Sequence, residues 1–101
     1  MDREIIHHIK EMRESDNLCL VTLVETRGST PKPAGCSMLV NMDGRLAGSV
    51  GGGCVEGRVI ELARQVIKTG RNCFFEEILN DELSGHMCGG KAIFYLEKLI
   101  N

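Results

Sequence analysis

No run of apolar residues in this 101-residue chain approaches the roughly 18 that a membrane-spanning helix needs. The first residues, MDREIIHHIKEM, scatter acidic and basic side chains through a short apolar stripe, which is unlike the apolar core of a signal peptide. A cytoplasmic chain with no membrane partner is expected. Positive charge is also lacking: the formal net charge is −2, so no nucleic-acid partner held by bulk attraction to phosphate is expected. The cysteines include no C-x-x-C pair, which argues against a zinc ribbon or a thioredoxin-type dithiol. Residues 48–53 lack the G-x-G-x-x-G register, and no Gly-Lys-Ser/Thr follows them, so neither a dinucleotide fingerprint nor a P-loop is present. No His-Ser-Asp set, paired carboxylates or dedicated metal-ligand cluster supports a complete catalytic apparatus, so a catalyst in its own right is not expected. Repeats, low-complexity tracts and linkers are absent too.

What is there is the composition of an ordinary globular protein, 43% hydrophobic and 26% charged, in a length that suits one domain over 1–101. A core of that size leaves any site partly at the surface. Five cysteines, an odd number without a secretory signal, read as free thiols in a reducing compartment. Cys19 and Cys73 lie in apolar stretches and read as small core residues, whereas Cys36, Cys54 and Cys88 each lie beside glycines.

Periodicity organises the rest. Ile5, Ile9 and Met12 recur at helical spacing, with Ile6 widening the stripe, which predicts an amphipathic helix over about 3–14; His7 and His8 then lie on or beside it as solvated side chains. LCLVTLVET, 18–26, reads as a buried strand. Asp43-Gly44 between SMLVNM and RLAGSV predicts a β-hairpin over about 37–50 with those two residues at its turn, pairing Met42 with Arg45, Val40 with Ala47 and Ser37 with Val50. The open end of that hairpin then brings GSTPKPAGC, 28–36, beside GGGC, 51–54. Val55, Val59, Leu62, Val66 and Ile67 trace the apolar face of a second helix over about 54–69, punctuated by Gly70. FFEEIL and AIFYLEKL read as two further strands, separated by a loop, NDELSGHMCGG. The fold class is α+β with a mainly antiparallel sheet, because the strands are not spaced as βαβ units.

The glycines point to a guest. A helix entered through Gly51-Gly52-Gly53 offers unpaired N–H groups and its positive dipole end to an anion; a tight strand-to-helix corner is enough to explain one glycine, and for three the corner and the ligand surface compete evenly. Cys54 at that helix start gains thiolate character, with Glu56 as a partial counterweight. Cys88 shares the glycine setting without a helix behind it, and His86 near it is readily explained as solvated. In STPKPAG the prolines stiffen a segment that presents Ser29, Thr30 and Lys32, and Lys32 and Arg27 suit an anion unless they are ordinary surface charges.

Together ETRGSTPKPAG, DGRLAGSVGGGCVEG and MCGG, in that order between about Val21 and Leu99, resemble the XdhC/CoxI family of accessory factors for molybdenum-cofactor hydroxylases. The resemblance implies binding and shielding of molybdenum cofactor (molybdopterin), support of its oxo-to-sulfido exchange with a cysteine desulfurase, and delivery to the apo-enzyme of a molybdenum hydroxylase. Its cofactor site would comprise Gly28, Ser29, Thr30, Lys32, Gly35, Gly51, Gly52, Gly53, Cys54, Glu56, Cys88, Gly89 and Gly90, with Cys54 and Cys88 as molybdenum contacts. Whether Cys54 is a ligand, a sulfur carrier or a small residue that fits stays open. Many family members continue into a Rossmann-like domain; here a separate Rossmann-domain protein supplies it, or the short form acts without it, and a homo-oligomer is left open. Cys36 departs from the family, where a small residue is expected. Two other readings compete: a module that docks a hydroxylase subunit, desulfurase or Rossmann partner without holding cofactor, and a generic thiol protein.

Overall fold

The computed structural model describes residues 2–13, 16–28, 32–51, 53–81 and 86–99, with backbone but not side chains at 53, 54, 79–81 and 86–89. Helix α1 (Arg3–Lys10) starts where the Asp2 carboxylate accepts the Glu4 N–H at 2.8 Å, satisfying one of the free donors of the first turn. It stops short of the expected residue 14. The Met12 N–H reaches back only three residues to the Ile9 carbonyl, and the Asp16 carboxylate captures the Arg13 N–H at 2.7 Å. Local side-chain capture ends the helix where the apolar spacing alone would continue it.

Five strands follow the expected class, α+β with an antiparallel sheet: β1 (Leu18–Arg27), β2 (Ser37–Asn41), β3 (Gly44–Gly48), β4 (Cys73–Asp81) and β5 (His86–Leu99), ordered β3-β2-β1-β5-β4. All four pairings are antiparallel. Helix α2 (Gly53–Thr69) connects β3 to β4 and lays Val59, Ala63, Val66 and Ile67 on one sheet face, against Cys19, Val21, Leu23, Met38, Val40, Phe94 and Leu96. Gly70, at φ 73°, closes it in the left-handed conformation that glycine adopts without strain. On the opposite face α1 packs Ile5, with Ile9 and Met12, over Leu18, Leu20, Leu39 and Ala47. Each side of the sheet therefore has its own small core, and α1 covers only the β3-β2-β1 half of the second.

Two expectations are corrected. The hairpin turns on Met42 and Asp43 rather than on Asp43 and Gly44: Asn41 pairs with Gly44 and Val40 with Arg45. The Asn41 side-chain oxygen accepts both the Asp43 N–H (2.8 Å) and the Gly44 N–H (3.0 Å), and so selects the turn before the Asp-Gly pair can. A bulge then shifts the register, so that Leu39 meets Ala47 and Met38 meets Gly48. Ser37 meets Ser49, whose N–H it accepts at 3.1 Å, instead of Val50. The second correction concerns HMCGG, expected in a loop. Residues 86–90 form the first part of β5, with Gly90 opposite Leu79 and His86 opposite Asp81.

Gly48 is fixed by space as well as by conformation. It sits at φ 76°, and a Cβ there would lie 2.3 Å from the Ser37 carbonyl oxygen and 2.7 Å from Ile5 Cδ1. Backbone cannot yield as a flexible side chain can, so Gly48→Ala should destabilise the protein by more than ~2 kcal/mol, read as a lower urea midpoint with unchanged slope. Gly57→Ala is the contrast: nothing lies within 4 Å of its added Cβ, and a helical alanine there should raise the midpoint.

Candidate functional site

Topology gathers the glycine motifs. Strand β1 ends, β2 begins, β3 ends and β5 begins at the same end of the sheet, and α2 starts there too. The 28–36 loop joins β1 to β2, residues 49–52 join β3 to α2, and Gly90 adjoins Lys91, the partner of Arg27. The expected juxtaposition at the open end of the hairpin therefore survives the change of register.

The loop after β1 is pinned at its far end. Gly35, at φ 101°, donates its N–H to the Leu23 carbonyl at 2.7 Å, and the Leu23 N–H returns to the Cys36 carbonyl at 2.9 Å. That places Lys32 and Cys36 on a cavity of about 430 Å³ with Asp2, Ser37, Gly48 and Ser49. The Cys36 side chain is half-buried and free. Hydroxyls, a thiol and an ammonium thus share one hollow, with the Asp2 carboxylate as its single described anionic group.

Glu56 has a different part from the one its sequence position suggests. Its carboxylate, only 12% exposed, accepts the Ser49 hydroxyl at 2.7 Å and pairs with the Arg45 guanidinium at 3.6 Å. Arg45 also donates to the Gly48 carbonyl at 3.2 Å. The three side chains tie the end of β3 to the first turn of α2 across the glycine corner. Arg45 and Ser49 are not among the expected site residues: Arg45 lies on β3, Ser49 in the connection after it and Glu56 on α2, so no single element's period relates them. At the hairpin tip the Arg64 guanidinium donates to the Met42 carbonyl at 3.0 Å, so α2 grips both ends of the same hairpin.

Gly28 lies at φ 70° just after β1, Gly51 just before the corner, and the backbones of Gly53 and Cys54 open α2. Cys88 and Gly89 lie in the β5 ladder, and Gly90 is buried there. Ser29, Thr30 and Gly52 lie outside the described residues, as do the thiols of Cys54 and Cys88. Several cations at this end already have carboxylate partners: Arg27 with Glu25 at 3.3 Å, Lys91 with Glu76 at 3.0 Å, and Arg58 with Glu77. Among the described residues no group of three or more His, Cys, Asp or Glu is placed to hold a metal ion, and no helix is long and apolar enough to cross a membrane.

A sequence profile of the XdhC and CoxI family matches residues 12–78. The chain belongs to the XdhC/CoxI family. This XdhC/CoxI chain is 36% identical, over 96 residues, to the molybdenum cofactor insertion chaperone PaoD of Escherichia coli (strain K12), an alignment that covers 90% of this chain and 29% of that one. It is 35% identical over 80 residues to the uncharacterized protein YqeB of the same organism, covering 76% of this chain and 15% of YqeB. A crystal structure described as a xanthine dehydrogenase from Bacillus halodurans superposes with a TM-score of 0.78 at 24% identity, over 94% of this chain and 29% of that one, which shows a shared fold. The XdhC/CoxI chain thus spans less than a third of the length of these relatives.

The two core thiols differ from Cys36. Burial pushes the Cys19 thiol from 9.0 up to about 12, with the Cys73 thiol adding to the shift, and burial raises Cys73 as well. Both stay protonated in the folded state while the unfolded chain ionises near 9. The contribution of Cys19 to stability is therefore complete below pH 9 and is lost as pH rises from about 9 towards 12, and Cys73 acts in the same direction. Urea midpoints measured across that range should fall, and Cys19→Ala, weaker at neutral pH, should fall less steeply. Glu56→Ala removes a part-buried carboxylate from two partners and should cost about 1–3 kcal/mol; Glu56→Gln, which keeps the Ser49 contact, should recover part of that loss in the same titration.

Proposed function

We propose that this module holds molybdenum cofactor as cargo at the glycine end of its sheet, and assists its sulfuration, protection and insertion into a xanthine-dehydrogenase-type apo-hydroxylase. The observation that carries this reading is the convergence of the three glycine motifs at one sheet end, in an XdhC/CoxI chain related to a molybdenum cofactor insertion chaperone. Molybdopterin brings a phosphate and a soft, oxidation-sensitive metal centre, and the residues divide between them. The Lys32 ammonium, the Ser37 hydroxyl and the N–H groups at the start of α2 suit the phosphate. The thiols of Cys54 and Cys88 suit the metal, as soft ligands or as transient sulfur holders. Gly28, Ser29, Thr30, Gly35, Gly51, Gly52, Gly53, Gly89 and Gly90 let the backbone approach where a side chain would stand off.

In this reading the protein shields and positions and is not itself a catalyst. A cysteine desulfurase supplies the sulfur and the apo-hydroxylase receives the cargo, in the cytoplasm. Glu56 holds the corner still while the loops bear on the guest. Asp2 sets a limit, since a second phosphate in the same hollow would meet its carboxylate.

Anaerobic purification followed by measurement of bound molybdopterin, for the chain alone and for its complex with the hydroxylase, tests this. Cofactor should co-purify, and Lys32→Ala should lower its occupancy by about tenfold, the loss of one charge-assisted contact. Cys54→Ser with Cys88→Ser should leave the phosphate contacts and abolish transfer to the apo-enzyme. No cofactor in either sample would overturn the proposal. A hydroxylase complex that forms equally well without cofactor and with both serine substitutions would instead make the module a docking protein.

A further inference from the structure

Strand β4 is an edge of the sheet, nine residues long, whose register shifts only between Leu79 and Asp81 and whose outward charge over 73–78 is the single carboxylate of Glu76. It contains no proline and no lysine, and its cross-strand partners run in register from Cys73 to Leu79 without a bulge. Its outward side chains are Phe74, Glu76 and Ile78, of which Phe74 is 68% and Ile78 70% exposed. Behind them on the same face lie Tyr95 opposite Phe74 and Ile93 opposite Glu76, and α1 does not reach this half of the sheet. The Phe74 ring rests against Tyr95 at 4.7 Å between centroids, so the patch is held in place.

Its backbone is poised in the same direction. Leu23 exchanges hydrogen bonds with Gly35 and Cys36 on the β2 side of β1. Antiparallel alternation then turns Thr22 towards β5, its partner Tyr95 towards β1, Phe94 towards β4, and Phe75 back towards β5. The N–H and C=O groups of Phe74, Glu76 and Ile78 therefore face the open edge, and the residues with exposed apolar side chains are the ones with unpaired backbone.

We propose that a second copy of this chain pairs antiparallel along β4, centred on Glu76, to make one continuous sheet of ten strands. The strand is complementary to itself in that register: Phe74 of each copy falls opposite Ile78 of the other, on the same face, twice over. Charge does not prevent the pairing. Glu76 is matched by Lys91 at 3.0 Å and Glu77 by Arg58 within each copy, so the two Glu76 side chains at the axis arrive with two Lys91 ammonium groups and a total charge of zero. A single strand edge with one apolar pair on each side of the axis is a small interface, which makes the association concentration-dependent.

Sedimentation of the full chain under reducing conditions, from about 1 to about 300 µM, spans the range in which small interfaces dissociate. Monomers should give way to dimers as concentration rises. Phe74→Lys with Ile78→Lys should raise the dissociation constant by at least ~tenfold while the chain still melts in a single cooperative transition. Glu76→Lys alone, which gathers four ammonium groups at the axis, should weaken the dimer, and adding Lys91→Glu should restore it. A monomer at the highest concentration overturns the proposal, as does a dimer indifferent to the Phe74 and Ile78 substitutions. A chain that stays monomeric alone but pairs through these residues with a different protein overturns it too, and assigns the edge to that protein.

Discussion

The hydrogen that stands where Gly48 could carry a side chain is the point on which the two halves of the structure depend. The Ser37 carbonyl approaches from the paired strand and Ile5 from the helix above, and both occupy the volume of a missing Cβ. If that volume were filled, the hairpin would open at the end where it borders the cavity, and α1 would lift from its small core. The same residue sets the direction in which the chain leaves β3, so Ser49 falls within reach of Glu56 and the glycine corner leads into α2. One close approach thus connects the packing of the second core to the geometry of the candidate site.

Around that point, stability and function are divided between the faces and the end of the sheet. The face under α2 carries the larger core, with the buried Cys19 in it and the half-buried Cys73 packed against it. The face under α1 is half covered. The end where the glycine loops meet has few core side chains and many backbone groups, which suits a surface that closes on a guest rather than a rigid pocket. Ion pairs at this end mostly stay within the chain, so oriented N–H groups, more than free positive charge, are what it offers to an anion.

Much of this architecture is legible in the sequence, and the parts that are not have identifiable causes. Helix α2 is visible because Val59, Val66 and Ile67 repeat at helical spacing and Gly70 stops it. Strand β1 is visible as an apolar run, and the proximity of the two glycine loops follows from the hairpin whatever its register. The register itself is not visible, because Asn41 decides it through two hydrogen bonds from one side-chain oxygen, and a strong Asp-Gly signal masks that choice. The early end of α1 depends in the same way on a single carboxylate, Asp16. Residues 86–90 look like a loop because glycine, histidine and methionine lack strand propensity; they are in the ladder because β4 offers them partners. Glu56 stands out in the sequence for its place near Cys54, yet its partners, Arg45 on β3 and Ser49 just after it, are brought near only by the folded chain.

The arrangement has a consequence for how such a module can vary. The loops at 32–36 and 49–51 lie at the end of the two packed layers, whereas the third glycine motif is a strand of the sheet, and the loops are joined to the cores through a few side chains at one corner. Loop residues can then be exchanged to suit another guest without repacking a single leucine. The corner cannot be exchanged piecemeal: Arg45, Gly48, Ser49 and Glu56 lean on one another, so a lineage that changes one must change its neighbours with it or lose the alignment of every loop at that end.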